Sequence, residues 1–145
     1  MIKLSVPGTL VYRDVVLRVA ASACKLVRSG ENVQDAGHAP ANDFENQVVS
    51  AVGEAFNNVA IHGYAKGAAA EVELEIEITN DALVIRMADR GKGYDPSALA
   101  PPDLGTLPES HMGLFIIDSF MDEVGYRRAE VPGGRNVLTL KKRWR

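Results

Sequence analysis

The sequence predicts an α+β fold in which helices cover one face of a mostly antiparallel sheet. Apolar residues recur at helical spacing over two long segments in the first half of the chain. They then alternate with polar residues over two adjacent segments near the middle. A short helical segment and two more strand-like segments follow. About five strands with helices on one face predict a two-layer sandwich, formed as one domain by residues 1–145.

The composition is that of a globular protein, with 46% hydrophobic and 24% charged residues. A net charge of −3 gives no general electrostatic reason to bind nucleic acid. Cys24 is the single cysteine, which excludes an intrachain disulfide and a zinc site built from several thiolates. The apolar runs are too short to cross a membrane, and the N-terminus lacks a signal-peptide pattern. We therefore expect a cytoplasmic protein without direct nucleic-acid or membrane partners.

The first elements are a short strand over residues 2–6, a turn over 7–9 and a helix over residues 10–28. The helix rests on apolar residues at helical spacing, namely Leu10, Val11, Val15, Leu17, Val19 and Leu26. A polar loop then extends to about residue 41.

A second helix is predicted from the N-cap candidates Asn42 and Asp43 to about His62, with Gly63 as its C-cap. Its apolar face consists of Val48, Val52, Ala55, Phe56 and Val59.

The spacing of the apolar residues changes at residue 71, from helical spacing to alternation. Residues 71–79, EVELEIEIT, alternate glutamate with apolar residues and predict a half-buried strand. The turn at 80–81 connects it to a second strand over 82–88, so the pair predicts an antiparallel hairpin.

The segment over residues 97–111 has no regular pattern, and loops of this length tend to be lids or binding loops. A helix over 113–120 follows, and then two strands over 123–129 and 136–142 around a turn at 132–134.

Glu54, Asn58 and His62 are four residues apart and form one polar stripe beside the apolar face of the second helix. A carboxylate can accept a proton, and an amide oxygen suits Mg²⁺ beside phosphates. An exposed polar face is the alternative, and His62 is equally consistent with a helix-terminal packing residue. Gly53 costs about 1 kcal/mol relative to alanine within a helix, which suggests that some group approaches closely there.

Residues 89–96, DRGKGYDP, follow the second strand of the hairpin. Asp89 can accept a hydrogen bond from an exocyclic amine such as that of adenine. Gly91 and Gly93 can adopt positive φ and expose N–H groups. Alone, this pattern is equally consistent with a plain turn.

Residues 110–126, SHMGLFIIDSFMDEVGY, place Gly113 where a helix is predicted to begin. The N–H groups at a helix start can receive an anion, although a simple loop-to-helix junction is the alternative. We assign the apolar side chains of this helix, Leu114, Ile116, Ile117 and Phe120, to the core.

The ordered set of EAFNNVAIHGY, DRGKGYDP and MGLFIIDSFMDEV resembles the ATP-binding superfamily of gyrase, heat-shock chaperones and histidine kinases. Within that superfamily it is most similar to the anti-sigma-factor serine/threonine-protein kinases of bacterial partner-switching systems. The resemblance covers nearly the whole chain and implies a Bergerat-type fold with a long ATP lid.

By position, the resemblance implies that Glu54 is the general base and that Asn58 ligates Mg²⁺. Asp89 would read the adenine amine, Gly91 and Gly93 would admit the nucleotide, and residues 97–113 would form the lid. The other nucleotide contacts that it implies are His62, Ser110, Met112, Gly113 and Leu114.

The resemblance also implies the cofactors ATP and Mg²⁺ and a kinase that acts as a homodimer. The implied partners are a sigma factor, which the protein sequesters, and a small antagonist protein, which it phosphorylates on serine.

Two features depart from the family pattern. His111 replaces the first glycine of the second glycine segment, and residues 97–112 contain no lysine or arginine. A closing threonine is common on the last strand in the family, and here both Asn136 and Thr139 are open for that role.

These departures leave open a non-enzymatic nucleotide-binding module that acts through protein contacts. A sensor histidine kinase catalytic domain is a third alternative. It is disfavoured because none of His38, His62 and His111 resembles a phosphoacceptor on a coiled-coil helix.

Overall fold

Five antiparallel strands form one sheet in the order β1-β2-β3-β5-β4 in the computed structural model, which describes residues 1–29, 43–63, 70–93 and 109–144. The α+β class, the mostly antiparallel strands and the hairpin are therefore confirmed, whereas residues 97–108 of the predicted loop lie outside the described residues. The strands are β1 (Ile2–Pro7), β2 (Glu71–Ile78), β3 (Ala82–Asp89), β4 (Glu123–Arg127) and β5 (Asn136–Arg143); the helices are α1 (Arg13–Ser29), α2 (Phe44–Asn58) and α3 (Glu109–Phe120).

The alternation of apolar residues and glutamates along β2 determines which face of the sheet packs into the core. Val72, Leu74 and Ile76 are buried in the core, while the intervening glutamates lie on the other face. Thr79 closes the hairpin turn because its backbone N–H donates to the Ala82 carbonyl and its hydroxyl receives the Ala82 N–H. The central strand β3 is buried along nearly its whole length, as expected for a strand with a neighbour on each side.

Helix α2 lies between α1 and α3 and contacts both. The residues predicted for its apolar face are all buried, and they join the sheet residues in one core. Within the described residues, no helix is long and apolar enough to span a bilayer.

The predicted helix in the first segment is confirmed, but its start and its buried face were wrong. Residues 10–12 form a 3₁₀ turn in which Leu10 and Val11 are exposed, and α1 begins at Arg13. The buried residues of α1 are instead Val16, Ala20, Ala23, Cys24 and Val27. These residues belong to the same core as α2 and the sheet, and α1 contacts both α2 and β2.

Helix α2 begins and ends near the predicted residues, but its first and last turns differ in detail from the prediction. Asp43 occupies the N-cap position without making a side-chain capping bond, and it accepts a hydrogen bond from Gln47 instead. Asn42 lies outside the described residues. A π-helical turn, Val59–Gly63, continues α2 to the predicted end.

Helix α3 begins four residues earlier than predicted, so Gly113 lies inside it. Residues 109–113, predicted as part of the lid, are therefore helical. Ile117 is buried and Leu114 packs against the core, as predicted, while Ile116 and Phe120 are half-buried. Strand β4 ends at Arg127 rather than residue 129, because the Ala129 N–H donates to a side chain of β5.

Phe56→Ala tests the role of α2 in the core. The Phe56 side chain is fully buried, and truncation of a buried phenylalanine costs roughly 3–5 kcal/mol. We expect that loss in the free energy of unfolding, measured by urea titration. The matched control is Val131→Ala, because Val131 is 64% exposed and its truncation should change the free energy by less than about 0.5 kcal/mol. Equal losses in the two variants would contradict this packing.

Candidate functional site

The predicted polar stripe on α2 is present at Glu54 and Asn58. Glu54 is half-buried and Asn58 is 7% exposed, so both lie at the border of the core. The π-helical turn that follows contains His62, whose side chain lies outside what the structure describes. Single π-helical turns within helices occur frequently at functional sites, so the local distortion lies beside the residues that the sequence singled out.

The amide nitrogen of Asn58 is buried and has no hydrogen-bond partner among the described residues. A buried polar group without a partner costs roughly 1–3 kcal/mol, so such groups normally face a ligand, an ion or water. An amide that donates to a phosphate oxygen and offers its own oxygen to Mg²⁺ would satisfy this site. Asn58 therefore fits the nucleotide and metal that the resemblance implied.

Glu54 lies against the backbone of α3. A Cβ atom at position 113 would stand 2.6 Å from the Oε2 atom of Glu54, closer than atoms can pack, so only glycine leaves room for the carboxylate in this position. The prediction that Gly113 opens a helix was wrong, because α3 starts at Glu109. The free N–H groups of α3 belong to its first turn, which begins at Glu109.

A second group of residues lies at the end of β3. Asp89 is 5% exposed, and its Oδ1 atom accepts hydrogen bonds from the Gly91 N–H at 2.8 Å and from the Asn136 side chain at 3.1 Å. None of the hydrogen bonds found among the described residues involves its Oδ2 atom. A buried carboxylate with one fixed oxygen and one spare acceptor can receive an amine from a ligand.

Of the two glycines after Asp89, only Gly93 has the positive φ that was predicted, at 75°. A side chain there would be strained and would crowd Asn136 and Tyr126, each 3.0 Å from a Cβ. Gly91 does not have a positive φ, and its N–H is already donated to Asp89. The prediction that Gly91 exposes a free N–H was therefore wrong.

The lysine between the glycines is exposed. Lys92 contributes its carbonyl oxygen, which accepts a hydrogen bond from Arg128, while Arg90 donates to the Gly133 carbonyl. These arginines tie the turn to the β4–β5 end of the sheet through backbone oxygens.

The sequence left Asn136 and Thr139 open for the role of the closing threonine, and of these two residues Asn136 is the one that contacts Asp89. It is 1% exposed and pairs with Asp89 in the register of β3 and β5, whereas Thr139 lies on the other face of β5. A strict two-residue alternation from the buried Leu138 and Leu140 places Asn136 on the core face, and this signal was available in the sequence.

Another contact that the sequence missed explains Gly53. The Arg13 guanidinium of α1 crosses this glycine, where a Cβ would stand 2.6 Å from Nη2, and Nε of Arg13 donates to Asn57 at 2.8 Å. The close approach predicted at Gly53 is therefore made by a neighbouring helix.

The described contacts form two clusters. Glu54 meets Gly113 between α2 and α3, and Asp89 meets Gly91 and Asn136 at the end of the sheet; no described contact joins one cluster to the other. Of the remaining predicted residues, Leu114 packs against the core and Met112 is half-buried on α3. The side chains of Ser110 and His111 lie outside the described set.

Comparison with known proteins bears on what these clusters do. A sequence profile of the histidine kinase-like ATPase domain matches residues 14–142 of this chain. The match spans α1 through β5 and includes both clusters.

Individual relatives point in the same direction. The anti-sigma F factor of Clostridium beijerinckii is 36% identical over 107 residues, which cover 71% of this chain and 74% of that protein. The anti-sigma F factor of Clostridium botulinum is 31% identical over 112 residues, with 72% and 75% covered. Serine/threonine-protein kinase BtrW of Bordetella bronchiseptica is 34% identical over 91 residues, with 60% and 62% covered. These matches confirm the resemblance drawn from the three motifs.

Proposed function

This chain belongs to the histidine kinase-like ATPase family, and we propose that it is an ATP-binding anti-sigma factor that sequesters a sigma factor and phosphorylates a serine on the antagonist of that factor. The ATPase domain supports ATP binding, and relatives named as anti-sigma F factors and as a serine/threonine-protein kinase support the role in general. The homodimer implied by the resemblance and the cytoplasmic location expected from the sequence are part of this proposal.

One observation carries the chemical part of the proposal. Asn58 presents a buried amide whose nitrogen has no hydrogen-bond partner among the described residues, one helical turn from the half-buried carboxylate of Glu54. This pair combines a ligand for phosphate or metal with a base, which is what phosphoryl transfer to a hydroxyl requires.

In the proposed reaction Glu54 accepts the proton of the serine hydroxyl. The serine oxygen forms a bond to the γ-phosphorus while the bond from that phosphorus to the bridging oxygen breaks, which leaves ADP. Asn58 holds the phosphate end, and Asp89 receives the adenine amine at the other end of the nucleotide.

Magnesium, when bound, neutralises charge on the phosphates. Asn58 is the residue that would hold it, through the amide oxygen. No cluster of three or more histidine, cysteine, aspartate or glutamate side chains that could hold a metal is found in the described segments. An amide oxygen suits Mg²⁺ that is held beside phosphates, so binding of the ion should depend on the nucleotide.

A second candidate is a nucleotide-binding module without kinase turnover. The absence of lysine and arginine from residues 97–112 favours it, since a cation from the lid often supports the γ-phosphate in this family. Clear ATP binding by calorimetry, without transfer to any protein of a native lysate, would support this candidate over the kinase.

The partners can be tested by a pull-down with the purified chain from native lysate, with and without ATP. We expect to recover a sigma factor and a small antagonist that replace one another when ATP is added. Recovery of neither protein under both conditions would contradict the anti-sigma role.

Glu54→Gln should abolish transfer but preserve ATP binding, because the amide keeps the shape of the side chain and loses the base. General-base removal lowers rates by roughly 100-fold or more, which is measured as phosphate incorporation into the antagonist. Glu45→Gln, on the first turn of the same helix, is the control and should retain activity. Transfer by the Glu54 variant at the unaltered rate would show that Glu54 is not the base.

Gly113→Ala should lower the rate of phosphate transfer while it leaves thermal stability nearly unchanged. The added methyl group must displace the Glu54 carboxylate, a flexible group that can move, and alanine is favoured over glycine within a helix by about 1 kcal/mol. We expect little loss of thermal stability and a loss of transfer of roughly tenfold or more, as for other misplaced catalytic groups. Gly125→Ala is the control, because its Cβ would meet only Thr139 at 4.0 Å. Full activity of the Gly113 variant would contradict this placement of Glu54.

Asp89→Asn should weaken ATP binding far more than Lys92→Ala. The new amide must turn its oxygen to the donors of Gly91 and Asn136, so that its NH₂ group faces the adenine amine, donor against donor. Loss of a hydrogen bond to a charged group costs about 1.5–3 kcal/mol, or roughly 10- to 100-fold in Kd. Calorimetry measures both variants, and a larger effect at the exposed Lys92 would return Asp89 to the role of a turn residue.

A further inference from the structure

Both donor hydrogens of the Asn136 side chain bond to protein atoms. Its Nδ2 group donates to the Asp89 carboxylate at 3.1 Å and to the Gly91 carbonyl at 3.0 Å. Its Oδ1 atom accepts the Ala129 N–H at 2.9 Å. An amide nitrogen has two hydrogens, and both are engaged by protein atoms, so the Asn136 side chain is saturated as a donor.

This saturation affects Asp89. Asn136 and the Gly91 N–H both act on the Oδ1 atom of that carboxylate, which fixes its plane at the end of β3. The second oxygen, Oδ2, is left as an acceptor held in one direction. A buried carboxylate held by two donors rotates less easily than one held by a single donor, and a fixed acceptor discriminates more sharply between a donor and an acceptor on a ligand.

We propose that Asn136 is a positioning residue that sets the purine specificity of the site, acting through Asp89 and not by contact with the base. The proposal rests on the proposed function, in which Asp89 receives the adenine amine. A purine nucleotide with an amine at position 6 is then preferred over one with a carbonyl there, because the carbonyl would face a fixed carboxylate oxygen.

The same contacts connect three elements. Asn136 begins β5, Asp89 ends β3, and Ala129 follows β4, so one buried amide joins the ends of three strands. Gly93 lies against this amide, with Oδ1 of Asn136 3.0 Å from the position of a Cβ. Asn136 and Asp89, the two side chains proposed to set purine specificity, therefore lie at the ends of strands.

The experiment compares the Kd values of ATP and inosine triphosphate by calorimetry, since the latter carries a carbonyl in place of the amine. The wild-type chain should prefer ATP by roughly 10- to 100-fold, the range expected for one hydrogen bond to a charged group. Asn136→Asp keeps the size of the side chain and the acceptor for Ala129, but at pH 8 it places a second carboxylate beside Asp89. The preference should then fall to within about threefold of unity, as the repelled carboxylate loses its orientation.

Protonation provides a rescue that a merely structural role would not show. Two adjacent carboxylates share a proton more readily as the pH falls, and the introduced carboxyl group, once protonated, donates to Asp89 as the amide did. The ATP preference of Asn136→Asp should therefore rise as the pH is lowered from 8, an increase that the wild-type chain, without a second carboxylate at this position, should not show. Asn136→Ala, which removes both donors, should lose the preference at every pH and serves if the aspartate variant does not fold. Thr139→Val, on the other face of β5, is the matched control.

The outcomes separate the two proposals. A wild-type preference for ATP that survives in both Asn136 variants would overturn the positioning role and leave the proposed function standing. A wild-type chain that binds neither nucleotide, or binds both equally, would overturn adenine recognition by Asp89 and this inference with it. Loss of the preference together with its recovery at low pH is the result that supports the role.

Discussion

Helix α2 is enclosed by α1 on one side and by α3 on the other, and its apolar residues share one core with the sheet. Each neighbour approaches through a position without a side chain: Gly53 admits the Arg13 guanidinium, and Gly113 admits the Glu54 carboxylate. Glu54 and Asn57 of α2 therefore lie where α2 meets its neighbouring helices. A base placed there is half shielded from water, and electrostatic interactions are stronger than in bulk solvent.

The end of the sheet imposes a second constraint. Asp89 and Asn136 are buried in register on adjacent strands, and each requires partners because an unsatisfied polar group in a core is costly. They bond to one another and to the turn at Gly91, while Oδ2 of Asp89 has no hydrogen-bond partner among the described residues. The proposed recognition chemistry thus depends on strand pairing, and the loop contributes the N–H and carbonyl groups of Gly91 and the positive φ of Gly93.

Much of this arrangement could be predicted from the sequence. The change from helical spacing to alternation located the helices and the hairpin, and the four-residue spacing of Glu54 and Asn58 placed them beside the buried face. The errors arose where packing overrides local pattern. Gly113 was interpreted as the start of a helix because glycine usually interrupts one, whereas it lies within α3 to make room for a side chain from a distant part of the chain. No local signal carries that contact.

The buried face of α1 also depends on tertiary packing, because it is set by contacts with α2 and β2 that the spacing of apolar residues along α1 does not specify. Asn136 is a different case: the alternation of β5 could have distinguished it from Thr139, but its three hydrogen bonds required the register of three strand ends.

The most direct measurement is a crystal structure of the chain with Mg²⁺ and a non-hydrolysable ATP analogue. We expect the adenine amine to lie within hydrogen-bonding distance of Oδ2 of Asp89, the oxygen that Asn136 does not contact. We also expect the side-chain oxygen of Asn58 to ligate the metal and the Glu54 carboxylate to face the γ-phosphate. A nucleotide bound elsewhere, or one whose base does not contact Asp89, would contradict the proposed site.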